Sequence, residues 1–327
     1  MKTQLLNSPA RAARILRKGG LVAFPTETVY GLGVAIDRVA AVRRLFRAKG
    51  RPGDNPLIVH IAHRRQVNEL AMEAPESARR LMNKFWPGPL TVILRRSAAI
   101  PDVVTAGLDT VGIRLPSHPR AHAFLVAAAV PVAAPSANRS GRPSPTSWQA
   151  VREDLDGRVD AILKGARSEV GLESSVVDCT GRHPVLLRAG AITLRQLQAV
   201  VPGTRRARAA ELRAGRSPGV KHRHYAPNAR VLLDVSRMRR SSGAGWIGLG
   251  NPPAGIAHTR SCRSVREYAR EVFHFFRECE QRGINTIYCR PVAARGIGAA
   301  LMDRLRRAAA GSNGRYPRAS KRRVSPR

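Results

Sequence analysis

Residues 24–33 read FPTETVYGLG, and residues 49–60 answer with KGRPGDNPLIVH. The first stretch follows a short apolar run at 21–24 and reads as a hydroxyl- and glycine-rich turn at a strand end. The second sets Lys49 and Arg51 on a proline- and glycine-interrupted loop that feeds a strand at 57–61. One helix joins them. Asp37 is its predicted cap, Val39, Val42, Leu45 and Phe46 make one apolar stripe, and Gly50 ends it. A polar loop at one strand end, facing two cations at another, suits a small substrate carrying phosphates.

The same alternation runs outward from this pair. Ser8 and Pro9 open a helix that Gly19-Gly20 closes. Further strands are expected at 90–94, 111–115, 130–133, 160–163, 175–178 and 185–188. The connections are irregular and proline-rich, so residues 8–202 are expected to form an α/β domain on a mixed, strongly twisted sheet. Residues 203–228 read as a linker draped over the surface; Glu211 is their only acid. A second unit is expected at 229–311, with strands at 231–235, 246–249 and 284–289. Its helix starts at a Ser264/Glu267 capping box and buries Val265, Tyr268, Ala269, Val272, Phe273 and Phe276. This is a small Rossmann-like βαβ pattern without a GxGxxG turn, so no dinucleotide site is implied. Residues 312–327 carry no acid and read as a disordered basic tail.

Composition narrows the function classes. The 327 residues hold 43% hydrophobic side chains, enough for two globular cores. No apolar run reaches the roughly 18 residues of a membrane span. No signal-peptide core opens the chain. Four cysteines without a CxxC pair fit a reducing cytoplasm better than a zinc cluster. Fifty-seven Lys and Arg against 22 Asp and Glu give +35, which attracts polyanions. RNA contact through this basic surface and the tail is one reading. An arginine-rich composition spread over every helix is the other, since aromatics are only 5% and no stacking RNA motif is present.

Several residues carry chemistry by pattern. In the strand VGIRL, Arg114 points away from the face shared by Val111, Ile113 and Leu115. A mid-strand arginine needs an anion, either a substrate carboxylate or an internal Asp or Glu. In PVAAPSANRSGRPSPT (131–146), Ser136, Asn138 and Ser144 offer polar groups to phosphate or ribose, and small residues allow close backbone approach. Ser174 stands at a strand mouth in GLESSVVD, and Arg188 ends the strand in VLLRAG. His60, between apolar neighbours, reads as a core histidine by default. His222 and His224 in KHRHY lack a third metal ligand. GxSxG, HExxH and P-loop signatures are absent, so neither a covalent nucleophile nor a metal hydrolase is supported.

Eight strings occur in one order: FPTETVYGLG, KGRPGDNPLIVHI, FWPGPLT, VGIRLPSHP, PSANRSGRPSPT, GLESSVVD, LRAGAIT and SPGVKHRHYAP. Together they resemble the YrdC-like superfamily, in particular its long two-domain threonylcarbamoyl-AMP synthases. The resemblance implies a nucleotidyltransferase that condenses L-threonine, bicarbonate or CO2, and ATP into threonylcarbamoyl-AMP and diphosphate. Its product would pass to a separate transferase complex that modifies tRNA beside the anticodon. Thr28, His60, Arg114 and Ser174 would hold threonine. Arg51, Asn55, Thr110, Ala134, Ser136, Asn138, Ser144, Arg188 and Tyr225 would line the ATP site, with Tyr225 in a lid. Lys49 and Arg51 would stabilise charge catalytically. Mg²⁺ would arrive with ATP and need no dedicated protein site.

The chain departs from the family pattern at Arg290 and Arg295, where acids are usual, and mildly at Ser175 and Ala189. Two other readings stand beside the enzyme: an RNA-binding module without turnover, and a carbamoyltransfer factor that matures another enzyme. The latter lacks the accompanying segments it would need.

Overall fold

The computed structural model describes residues 2–213, 225–233 and 241–312. Eleven strands build the first sheet: β1 (Gln4–Leu6), β2 (Val22–Phe24), β3 (Gly31–Ala35), β4 (Ile58–His60), β5 (Leu90–Arg95), β6 (Thr110–Arg114), β7 (Val132–Ala133), β8 (Ala161–Leu163), β9 (Ser175–Asp178), β10 (Val185–Arg188) and β11 (Arg205–Arg206). Their order across the sheet is β1-β8-β2-β3-β7-β4-β6-β5-β9-β10-β11. Pairing is mixed as expected: β4 with β6 and β5 with β9 are parallel, while β2 with β3 and β5 with β6 are antiparallel.

The turn reading of FPTETVYGLG covers only its first half. Its glycines enter β3, which pairs with β2 and β7. Gly33 is required by contact: a Cβ there would stand 2.9 Å from Val132 Cγ1 and 3.0 Å from the Phe24 ring. The helix Val39–Lys49 forms, but its cap is Arg38 with no side-chain bond; Asp37 lies one residue too early. Gly50 ends it in the left-handed conformation, φ 59°. Ser8 caps the helix Pro9–Arg17, accepting from the Arg11 amide.

The first part of the stretch read as linker is structured. β11 adds to the sheet beside β10, and Glu211, in the short helix Ala209–Arg213, takes a bidentate bond from Arg205. The second unit is a four-stranded parallel sheet of β12 (Arg230–Leu232), β13 (Ser241–Leu249), β14 (Ile256–Cys262) and β15 (Thr286–Cys289), in the order β12-β15-β13-β14. IAHTRSC forms β14 although its polar residues hide the alternation expected of a strand. Its long helix, Val265–Gln281, starts at Ser264, whose hydroxyl accepts from the Glu267 amide. The Glu267 carboxylate takes the Arg263 amide instead of closing the box on Ser264. The expected tail, the two histidines of KHRHY and part of the linker lie outside the described residues. No helix among those described is long and apolar enough to cross a membrane.

The two units interlock. Leu172, from the loop before β9, is fully buried in the second unit's core with Tyr225 and Phe273. Beside it Gly171 has φ 76°, and a Cβ there would stand 2.4 Å from the Arg270 Cα. Arg277, on the long helix, donates to both oxygens of the fully buried Asp154 side chain at 3.2 and 2.9 Å, and to the Pro143 carbonyl. Arg142 joins Asp154 to Glu280, and Arg167 reaches Glu271. Removing one partner of a buried pair leaves an uncompensated charge. Asp154→Ala is therefore expected to cost about 3–5 kcal/mol in denaturant unfolding. A loss below 1 kcal/mol would mean that these pairs do not hold the interface.

Candidate active site

The ends of β4, β6, β7 and β10 and the loop before β9 surround one cavity, open to solvent. Twelve of the fourteen residues proposed from sequence line it: Thr28, Lys49, Arg51, His60, Arg114, Ala134, Ser136, Asn138, Ser144, Ser174, Arg188 and Tyr225. Two do not. Thr110 begins β6 opposite Arg95, four residues before Arg114, which at strand rise is about 13 Å away. Asn55 is buried behind Arg51 and contributes its carbonyl to the Arg51 Nη2 at 3.2 Å.

One side of the cavity is built for a carboxylate and a small polar group. Parallel register pairs His60 with Arg114, so imidazole and guanidinium share one strand-end row. Arg114 donates to Glu27 Oε1 at 2.7 Å, and both side chains are nearly inaccessible. The internal partner that a mid-strand arginine requires is thus present, yet Arg114 also lines the cavity. Glu27 was missed from sequence; the only signal was an acid between two threonines at a strand end. Its Oε2 is buried without a partner. Thr26 donates its hydroxyl to the Val29 carbonyl at 2.6 Å, so in the 2.8 Å Thr26–Thr28 contact Thr28 is the donor. Ser174 Oγ meets Thr91 Oγ1 at 2.8 Å.

His60 packs edge-on against Phe24 with Nδ1 3.3 Å from the Ile58 carbonyl. Burial, aided by the adjacent Arg114 charge, lowers its pKa from 6.5 to about 3. The imidazole is neutral at pH 7. Between those values the unfolded chain binds a proton that the folded chain refuses. This contribution to stability is therefore complete above pH 6.5 and lost as pH falls toward 3. The melting temperature should fall more steeply from pH 6.5 to 4 in wild type than in His60→Gln; equal slopes would contradict the assignment.

The other side is cationic. Lys49, the last residue of its helix, is buried and donates Nζ to the carbonyls of Ser136 and Asn138. Burial, then the Arg51 charge, holds its ammonium well below the usual lysine range, against a smaller pull from Asp154. Arg51 donates to the carbonyls of Asn55 and Pro56, and burial lowers it to about 10. Arg188 braces on Ser174 through Nε to the carbonyl and Nη2 to the hydroxyl. Asn138 spends its amide hydrogens on the Arg139 and Arg142 carbonyls, so it folds the 135–146 loop more than it offers donors to a ligand. Ser144 donates to Glu173, a lining carboxylate that sequence reading passed over. Burial alone would raise Glu173, but Arg304, Arg188 and these hydrogen bonds hold it below the carboxylate range. Tyr225 closes the wall with φ 70°, a left-handed backbone rare outside glycine, its ring stacked on Phe273 at 5.4 Å. Among the described residues no group of three His, Cys, Asp or Glu is placed to hold a metal.

This mixed sheet, with a cation-lined strand-end cavity and a parallel α/β unit docked over it, defines a two-domain enzyme of YrdC type. Residues 14–190 match the Sua5, YciO and YrdC family described as telomere recombination, and residues 192–310 match the threonylcarbamoyl-AMP synthase C-terminal domain. The threonylcarbamoyl-AMP synthase of Pyrococcus abyssi is 42% identical over 91% of this chain and 92% of its own length. That of Bacillus subtilis is 40% identical over 92% and 93%. A solved structure of P. abyssi Sua5 complexed with L-threonine superposes with a TM-score of 0.87 at 38% identity, covering 95% of this chain and 98% of that one. The chain belongs to the two-domain threonylcarbamoyl-AMP synthase family.

Proposed function

We propose that this protein is an L-threonylcarbamoyladenylate synthase, a nucleotidyltransferase joining L-threonine, bicarbonate or CO2, and ATP, with release of diphosphate. The observation that carries it is the two-sided cavity: Arg114, neutral His60, Thr28 and Ser174 on one side, and Lys49, Arg51, Arg188 and Ser144 on the other. The P. abyssi relative was solved complexed with L-threonine, which supports a threonine site; its place on the first side rests on Arg114. Arg114 then takes the threonine carboxylate, while His60 and Thr28 serve as neutral partners for its polar groups. The amine attacks CO2, and the resulting carbamate oxygen attacks the α-phosphate, so both nucleophiles come from substrates. The protein's share is orientation, charge stabilisation by Lys49 and Arg51, and exclusion of water from a labile carbamate.

Glu173 is the carboxylate in the lining, and it is already engaged by Ser144 and Arg304. With the Ser136 and Asn138 carbonyls also taken by Lys49, the described lining fits Mg²⁺ that would arrive on the triphosphate and be held by phosphates and water. When bound, the ion offsets charge on the departing diphosphate. The adenylate then goes to a separate transferase that modifies tRNA in the cytoplasm.

The test is diphosphate release from ATP with threonine and bicarbonate varied and serine as control. Release that needs both substrates is expected; release indifferent to threonine would refute the reading. Salt-sensitive tRNA binding that survives Arg114→Ala, with no turnover, would favour an RNA-binding module instead.

A further inference from the structure

Arg304 belongs to the second domain, in the helix Ile297–Ser312, yet its contacts are with two cavity walls. It is 1% exposed and does not itself line the cavity. Its Nε donates to Glu173 Oε2 at 2.9 Å. Its guanidinium stands 5.4 Å over the Tyr225 ring, and Nη1 takes Asp303 at 2.8 Å. Glu173 and Tyr225 both line the cavity, and Glu173 in turn accepts from Ser144. We propose that Arg304 is a positioning residue through which the second domain completes the nucleotide side of the active site. The assignment rests on the function proposed above.

Two observations separate this role from an ordinary interface pair. First, Tyr225 carries the strained left-handed backbone, and the stacking of Phe273 and Arg304 on its ring holds it there. Second, without Arg304 the buried Glu173 carboxylate would stand beside a site for polyphosphate with only the Arg188 charge near it. Arg304 compensates that charge and at the same time keeps Ser144 pinned. The threonine side depends on it less: Arg114 is compensated by Glu27, and Ser174 is held by Thr91 as well as by Arg188. Arg304 should therefore govern one substrate more than the other. The Asp154–Arg277 pairs supply the contrast, since they join the same domains but touch no lining carboxylate.

The experiment measures Mg-ATP and L-threonine affinities separately by calorimetry, on the full chain. Arg304→Met is expected to weaken ATP about tenfold to a hundredfold while threonine changes less than threefold. Adding Glu173→Gln to Arg304→Met should recover part of the ATP loss, because the buried charge is removed. Arg304→Lys restores charge without the fork and should fall between. If Arg304→Met does not fold, Arg304→Lys alone decides: ATP weakened severalfold with threonine unchanged supports the role. Equal losses for both ligands, or unchanged ATP affinity in a folded variant, overturn it. A wild-type protein that binds neither ligand removes the proposed function and this assignment with it.

Discussion

Arg114→Ala is expected to abolish threonine-dependent diphosphate release, lowering kcat/KM about a thousandfold. Two losses combine. The substrate carboxylate loses a charge-assisted fork, and truncating one member of a buried pair typically costs about 2–5 kcal/mol. Glu27 is then left as a buried carboxylate with neither oxygen compensated by the arginine, which repels the same substrate group. The two can be parted. Adding Glu27→Gln removes the stranded charge, so the double variant should regain melting temperature relative to Arg114→Ala while threonine binding stays lost. If the double variant regains threonine affinity, Arg114 does not hold the carboxylate and the pair is merely structural.

Lys49→Ala is expected to lower turnover about a hundredfold to a thousandfold, the usual cost of removing one preorganised charge donor, with little change in threonine affinity. Lys49 ties the carbonyls of Ser136 and Asn138 to the cavity, and its ammonium is destabilised by burial and Arg51. A triphosphate relieves that destabilisation, so the cationic form is the one that binds nucleotide. Its pKa lies below the ordinary lysine value, and nucleotide affinity should therefore weaken as pH rises through that lowered value. This alkaline limb should vanish in Lys49→Ala and be absent from threonine binding. An alkaline limb that persists in the variant would assign it to another group.

The residues of the cavity were largely legible because they sit in contiguous strings whose polar types make little sense as packing. Their arrangement was not. Nothing in LIVHI or VGIRL announces that His60 and Arg114 stand in parallel register, since pairing partners are set by long-range closure. Thr110 shares a face of β6 with Arg114 but begins the strand, so its string alone does not tell how far it stands from the cavity lining. Asn138 supplies the loop's own bonds, a role its residue type could not distinguish from ligand binding. β3 was hidden by glycines that elsewhere mean turns, and β14 by polar residues in a parallel strand. Glu27, Glu173 and Arg304 were invisible because their partners lie 87 and 131 residues away.

Leu172 has one more consequence. It is encoded in the first domain and buried in the second domain's apolar core. A stability unit is defined by what loses cooperative packing together, not by where a linker falls in the chain. Severing the chain after the first domain would strip the cover from a leucine next to Glu173 and Ser174, and a separate second domain would carry an unfilled hole at its centre. In this chain the two halves are therefore expected to melt as one unit with a split template.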